Sequence, residues 1–198
     1  MKRSLILFTL IMMVMLAACA TSPGGPTPIY TPIRSVGYGQ NIPGQPKFPD
    51  LKEYWVVDNG CNFSVKSKQY AYEYFEALNR DHIAQAAVVC QEGITGGPSA
   101  ASTWISEWLN HEGLGTLEDK RALAILIRPD VPPQDHRIVF NPNDDLYWLT
   151  TVDEYDPKHN AANYANANDF DGCLEYLAVS IDEILRDKWS IYGPTQTP

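Results

Sequence analysis

Residues Arg121–Arg128 read RALAILIR, and within them Ala122 to Ile127 is an unbroken apolar run. Glu118 and Asp119 precede it, and Pro129 and Asp130 stop it. A short apolar run with charged ends fits a strand buried on both faces of a sheet. A second run, AQAAVVC from Ala84 to Cys90, lies upstream, and a helical pattern separates the two. Buried strands alternating with helices predict an α/β fold, a single three-layer α/β/α sandwich around a mostly parallel sheet.

The remaining elements follow from these two. Tyr54–Asp58 (YWVVD) is a strand candidate that breaks at Asn59-Gly60. Ser64 offers an N-cap for a helix to about Arg80, with Val65, Ala71, Tyr72, Phe75 and Leu78 recurring at helical spacing. Ser99 is placed to cap the next helix, whose stripe is Ala101, Trp104, Ile105, Trp108 and Leu109, with Gly113 and Gly115 closing it. After Pro132-Pro133, Asp135–Phe140 (DHRIVF) reads as a neighbouring strand, and Leu146–Val152 as a short helix. Asp156–Asn168 is poor in apolar residues and reads as a loop or frayed helix. Asn168 then caps a last helix built on Phe170, Leu174, Leu177, Ala178, Ile181, Ile184 and Leu185.

The N-terminal residues carry an address. Lys2 and Arg3 form a basic start, Leu5–Ala18 is apolar but too short for an ordinary membrane span, and the run ends Leu16-Ala17-Ala18-Cys19. Small residues before a cysteine at this place resemble the bacterial lipobox. The resemblance implies cleavage after residue 18, diacylglycerol on the Cys19 sulfur, and a lipid anchor on the extracytoplasmic side of a bacterial membrane. Residues 19–52 hold seven of the 15 prolines and read as an extended tether. That leaves residues 53–190 for the folded domain and 191–198 for a tail.

The formal net charge is −9. Loss of Lys2 and Arg3 from the 15 basic residues leaves 13 against 24 acidic ones, near −11. Such a surface argues against nucleic acid and against electrostatic docking on anionic lipid. Asp58, Glu118, Asp119, Asp144, Asp145 and Asp153 supply the hard oxygen ligands that calcium takes, without EF-hand spacing. His82, His111, His136 and His159 are too scattered for a zinc signature. No nucleophile-elbow, P-loop or dinucleotide motif occurs, so no catalytic residue is assigned. Trp104 and Trp108 share one helix face and belong to the core, while Tyr147-Trp148 could line a sugar or peptide groove. Cys61, Cys90 and Cys173 remain beside the lipid cysteine. An odd number outside the cytoplasm points to one disulfide and one buried thiol. Cys90, at the end of an apolar strand, is the expected buried one, which leaves Cys61–Cys173 as the expected pair.

The order of motifs resembles the TPM domain family. Val56-Val57-Asp58 matches its opening strand, and His82–Val89 (HIAQAAVV) its second. Trp108–Gly115 (WLNHEGLG) stands at its helix end, Asp119–Leu126 (DKRALAIL) at its central strand, Arg137–Phe140 (RIVF) at the next, and Asp169–Leu174 (DFDGCL) at the start of its closing helix. Lys120-Arg121 replaces the Asn-Gly of the family, and Asn141–Asp145 its glycine-rich turn. The resemblance implies an α/β/α sandwich with a Rossmann-like sheet and a site at strand ends, here Asp58 and Asp119. Members include phosphatase-like and calcium-binding proteins and others that act in photosystem repair or receptor modulation. Calcium is therefore the cofactor that the resemblance brings into view. Two functions follow as expectations: a lipid-anchored binding or scaffold module acting on envelope proteins, and a calcium-linked phosphatase-like hydrolase using Asp58 and Asp119.

Overall fold

A computed structural model of the chain describes residues 39–51, 54–115 and 121–193. The leader, Cys19, the first half of the tether, Glu118 and Asp119 lie outside them. Four strands and four helices follow the order β1 (Val56–Asn59), α1 (Val65–Arg80), β2 (Gln85–Gln91), α2 (Gly97–Glu112), β3 (Ala122–Ile127), β4 (Ile138–Pro142), α3 (Thr151–Asn166) and α4 (Phe170–Tyr192). The sheet order is β1-β2-β3-β4. β1, β2 and β3 run parallel, and β4 closes the sheet antiparallel to β3. This is the expected α/β class with a mostly parallel sheet.

Every residue of β3 is 0% exposed, and all of β2 is buried. Side chains alternate between the two faces of a strand, so six successive buried residues need cover on both. α1 packs on α4, and α4 on α3, to form one layer. α2 packs on β3 and β4 and forms the other.

Several local expectations hold and several shift. Ser64 caps α1, its hydroxyl accepting from the Ser67 amide at 3.1 Å. α2 begins at Gly97 with Pro98 in its first turn, so Ser99 is already inside the helix. The cap of α4 is Asp169 rather than Asn168, with the Gly172 amide bonded to its carboxylate at 3.0 Å. In that first turn Asp171 accepts from the Ser64 amide at 2.8 Å and the Ser67 hydroxyl at 2.6 Å, which ties α4 to the start of α1. The region around Leu146 is a single 3-10 turn, Asp144–Leu146. The stretch expected as loop or frayed helix, Asp156–Asn168, is mostly regular helix α3, opened by a capping box between Thr150 and Asp153. Asp135 falls in another 3-10 turn, and β4 starts only at Ile138.

The larger correction concerns the tether. Residues 39–51 are not free chain but a strap docked on α2. Phe48 and Leu51 are buried in the core. The Trp104 indole N–H donates to the Pro46 carbonyl at 3.0 Å, and the Trp108 indole to the Pro49 carbonyl at 2.8 Å. The Leu51 amide donates to the buried Glu112 carboxylate at 3.1 Å. At Gly39 the strap crosses so closely that a Cβ would run into the Glu107 carbonyl. The physical reason is that a buried indole must find an acceptor. A proline-rich segment has carbonyls to offer and few amides to leave unpaired.

The cysteine pairing is also corrected. Cys61 is bonded to Cys90, not to Cys173. Asp58 stands opposite Cys90 in the register of β1 and β2. The chain turns back through Asn59-Gly60, with Gly60 at φ 140°, so Cys61 returns to the side of Cys90. Cys173 lies on the buried face of α4 as the free thiol. Burial and the nearby Asp169 carboxylate push its pKa up to about 12, so it is inert as a nucleophile.

Two outcomes are expected. Trp108→Phe in the full chain removes the donor to the part-buried Pro49 carbonyl, costing about 2–4 kcal/mol in urea unfolding. A change within about 0.5 kcal/mol would mean that the strap is not clamped there. Peptide mapping without reduction is expected to recover Cys61 linked to Cys90, with Cys173 alkylated only after denaturation. A Cys61–Cys173 peptide would contradict the register.

Candidate functional site

Asp58 sits at the carboxyl end of β1, where open α/β sheets commonly bind ligands. Its carboxylate is already engaged. One oxygen accepts from the Asn62 amide at 2.9 Å and the other from the Phe63 amide at 2.8 Å, with Lys68 Nζ at 3.5 Å. Two amides and an ammonium stabilise the charge and hold the loop that leads from β1 into α1. Asp58 is therefore a loop clasp in this structure. Asp119, its expected metal partner, and Glu118 lie outside the described residues.

The other expected ligands are dispersed. Asp144 and Asp145 follow β4 at the opposite end of the sheet, since Pro142 pairs with Leu123 near the start of β3. Asp153 accepts from the Thr150 amide at 2.9 Å and pairs with Lys188 at 2.7 Å. Burial pushes its pKa up, but Lys188 and the Thr150 bonds outweigh this and hold it below the usual carboxylate range. His82 follows α1 with φ 56°, and its carbonyl accepts from Arg121 at 2.6 Å. Trp148 is buried, whereas Tyr147 is exposed.

Three groups that sequence spacing did not bring together do converge. Asp50, His111 and Glu112 offer ligand atoms that all lie within 4.8 Å of one another. An imidazole with carboxylates suits zinc better than calcium, whose ligands are oxygens. Glu112, however, is 1% exposed and already holds the Leu51 amide, and the His111 ring packs against Phe48 with centroids 5.4 Å apart. In the described contacts this cluster fastens the strap to the end of α2. Asp50 reads as tether in the sequence and Glu112 as an ordinary helical residue, so only the docking of the strap makes the cluster visible.

A cleft of about 710 Å³ runs along β1, walled by Phe48, Pro49 and Asp50 of the strap on one side and by Val65 and Lys68 of α1 on the other. β1 is the terminal strand of the sheet. The Val88 amide donates to the Trp55 carbonyl, and the Glu92 amide to the Asn59 carbonyl. This parity turns the peptide groups of Trp55, Val57 and Asn59 toward β2 and those of Val56 and Asp58 outward into the cleft. Among the described residues no strand pairs with that outer edge. A row of outward-facing amides and carbonyls between two walls is a template for an added strand.

No protein-family model matches the chain, and no curated protein matches it. Its shape is similar to the solution NMR structure of the N-terminal domain of the cg2496 protein from Corynebacterium glutamicum, with a TM-score of 0.48 and 15% identity over 75% of this chain and 88% of that one.

Proposed function

We propose that the protein is a TPM-like binding module of the bacterial cell envelope, lipid-anchored through Cys19 on the extracytoplasmic side. It takes an extended segment of an envelope protein along the outer edge of β1. The observation that carries this reading is the walled cleft, with the outward peptide groups of Val56 and Asp58 at its floor. Main-chain bonds to those groups would supply affinity, and the walls would select alternate side chains of the added strand. Lys68, set beside Asp58, and Asp50 on the strap give the walls opposite charges for fixing the register of the segment. The calcium-linked hydrolase has less support. It needs Asp58 as a ligand, and each oxygen of Asp58 already accepts from a backbone amide.

A photo-crosslinking residue in place of Val65, which is 63% exposed at the cleft wall, tests the reading in cells that carry the full chain. Tyr147, 79% exposed elsewhere, serves as the control position. The expected result is an adduct that maps to one contiguous partner segment and is lost in Val56→Pro, which removes an outward-facing N–H and exchanges the buried valine side chain for a pyrrolidine ring. Circular dichroism of Val56→Pro is expected to match the parent. Adducts as scattered as those from position 147, or unchanged by Val56→Pro in a folded protein, would count against an added strand.

A further inference from the structure

On a chain with 24 acidic and 15 basic residues, one cavity reverses the sign. It measures about 400 Å³ and lies between α3 and the start of β4. Its ionisable lining, Tyr155 aside, is His136, Arg137, Lys158 and His159, and among the described side chains no carboxylate contributes to it.

The side chains come from two places. Tyr155, Lys158, His159, Ala162, Asn163 and Asn166 recur at three and four along α3 and so share one helix face. That face looks away from the side on which Asp153 meets Lys188 of α4. The opposite wall is Pro133, His136, Arg137 and Ile138, which lead into β4. Arg137 is locked in place. Its Nε donates to the Val131 carbonyl at 2.7 Å, and one terminal nitrogen donates to the Ala165 carbonyl at 2.6 Å and to Asn168 Oδ1 at 3.2 Å. Its other terminal nitrogen has no bond among the described residues. No salt bridge among the described residues holds Lys158. Glu154, one turn earlier, feels the charge of Lys158, but neither it nor Asp156 is part of the cavity lining.

The cavity also has a flat wall. The rings of Tyr155 and His159 are parallel to within 2°, with centroids 5.8 Å apart, and Tyr155 is 65% exposed. Exposing a tyrosine beside a lysine and two histidines is poor use of a core-forming residue. A flat aromatic face beside cationic groups can seat a planar ring that carries an acidic substituent.

We infer that this cavity is a binding site for a small organic acid: a planar ring lies against Tyr155, and its anionic group, carboxylate or phosphate, is held by Lys158 and the free nitrogen of Arg137. Asn163 and Asn166 supply amide donors at the rim. The site lies apart from the β1 cleft, at the other edge of the sheet, and does not rest on the strand-addition reading.

Amide-resolved NMR titration of the full chain in detergent tests it, with benzoate and phenyl phosphate as probes. Phenol serves as the uncharged ring and inorganic phosphate as the ringless anion. Saturable shifts confined to residues 136–138 and 155–166 are expected with one or both ring-bearing anions. Phenol and inorganic phosphate are expected to bind at least about tenfold more weakly. Lys158→Gln is expected to weaken binding about tenfold and Tyr155→Ala several-fold, with the amide spectrum of the rest of the fold unchanged, since both side chains reach the surface. The preferred anion separates the carboxylate form of the ligand from the phosphate form. Equal binding of all four compounds, shifts spread over the surface, or affinity unaltered by Lys158→Gln would overturn the assignment.

Discussion

Ala122 to Ile127 are out of water on both faces of the sheet, and the rest of the molecule is arranged to keep them so. A parallel sheet with one bare face would expose alternate residues of that run, each leucine or isoleucine among them costing about 1.5–3 kcal/mol relative to burial. α1, α4 and α3 cover one face as a packed layer. α2 covers the other, and it brings two tryptophans whose indole N–H groups need acceptors inside the protein. Those acceptors are not in the sheet or in another helix. They are the carbonyls of Pro46 and Pro49, so residues upstream of β1 become part of the domain. Covering β3 thus creates the strap, and the strap in turn forms one wall of the cleft beside β1.

The same arrangement leaves two sheet edges with different character. At β1 the outer peptide groups lie between the strap and α1, and the carboxylate of Asp58 is bound to the loop that follows it. At β4 the neighbouring helix α3 turns a basic and amide-rich face toward the cavity. One edge offers backbone and the other offers cationic side chains. This division fits a protein that meets an extended protein segment on one side and a small acidic molecule on the other.

What could be read from the sequence follows from how each element is stabilised. β2 and β3 were legible because a strand buried on both faces shows as a continuous apolar run. α1 was legible because its buried residues, Ala71, Phe75 and Leu78, repeat at helical spacing below a serine cap. α3 was not, because it packs on α4 through small residues, Pro157, Ala161 and Ala165, four apart. Its large aromatic residues stay outside. The strap was hidden because it docks through backbone carbonyls, which composition does not reveal. The disulfide was missed because pairing depends on register: Cys90 looked like a core thiol until Asp58 stood opposite it. At the candidate sites, Asp58 was correctly placed at a strand end, but its hydrogen bonds depend on the turn through Cys61. The cavity of His136 and His159 joins residues that are distant in sequence.

Hydrogen exchange on the full chain, resolved at the amides of Phe48 and Leu51, tests most directly whether the strap belongs to the fold. Both amides have acceptors, Asn41 Oδ1 at 2.8 Å and the Glu112 carboxylate at 3.1 Å. They are expected to exchange slowly, over minutes or longer, and to lose protection together with β2 and β3 as denaturant is raised. Exchange at the rate of unstructured chain while β2 and β3 remain protected would contradict the account. Residues 39–51 would then be tether, and the cleft beside β1 would lose one wall.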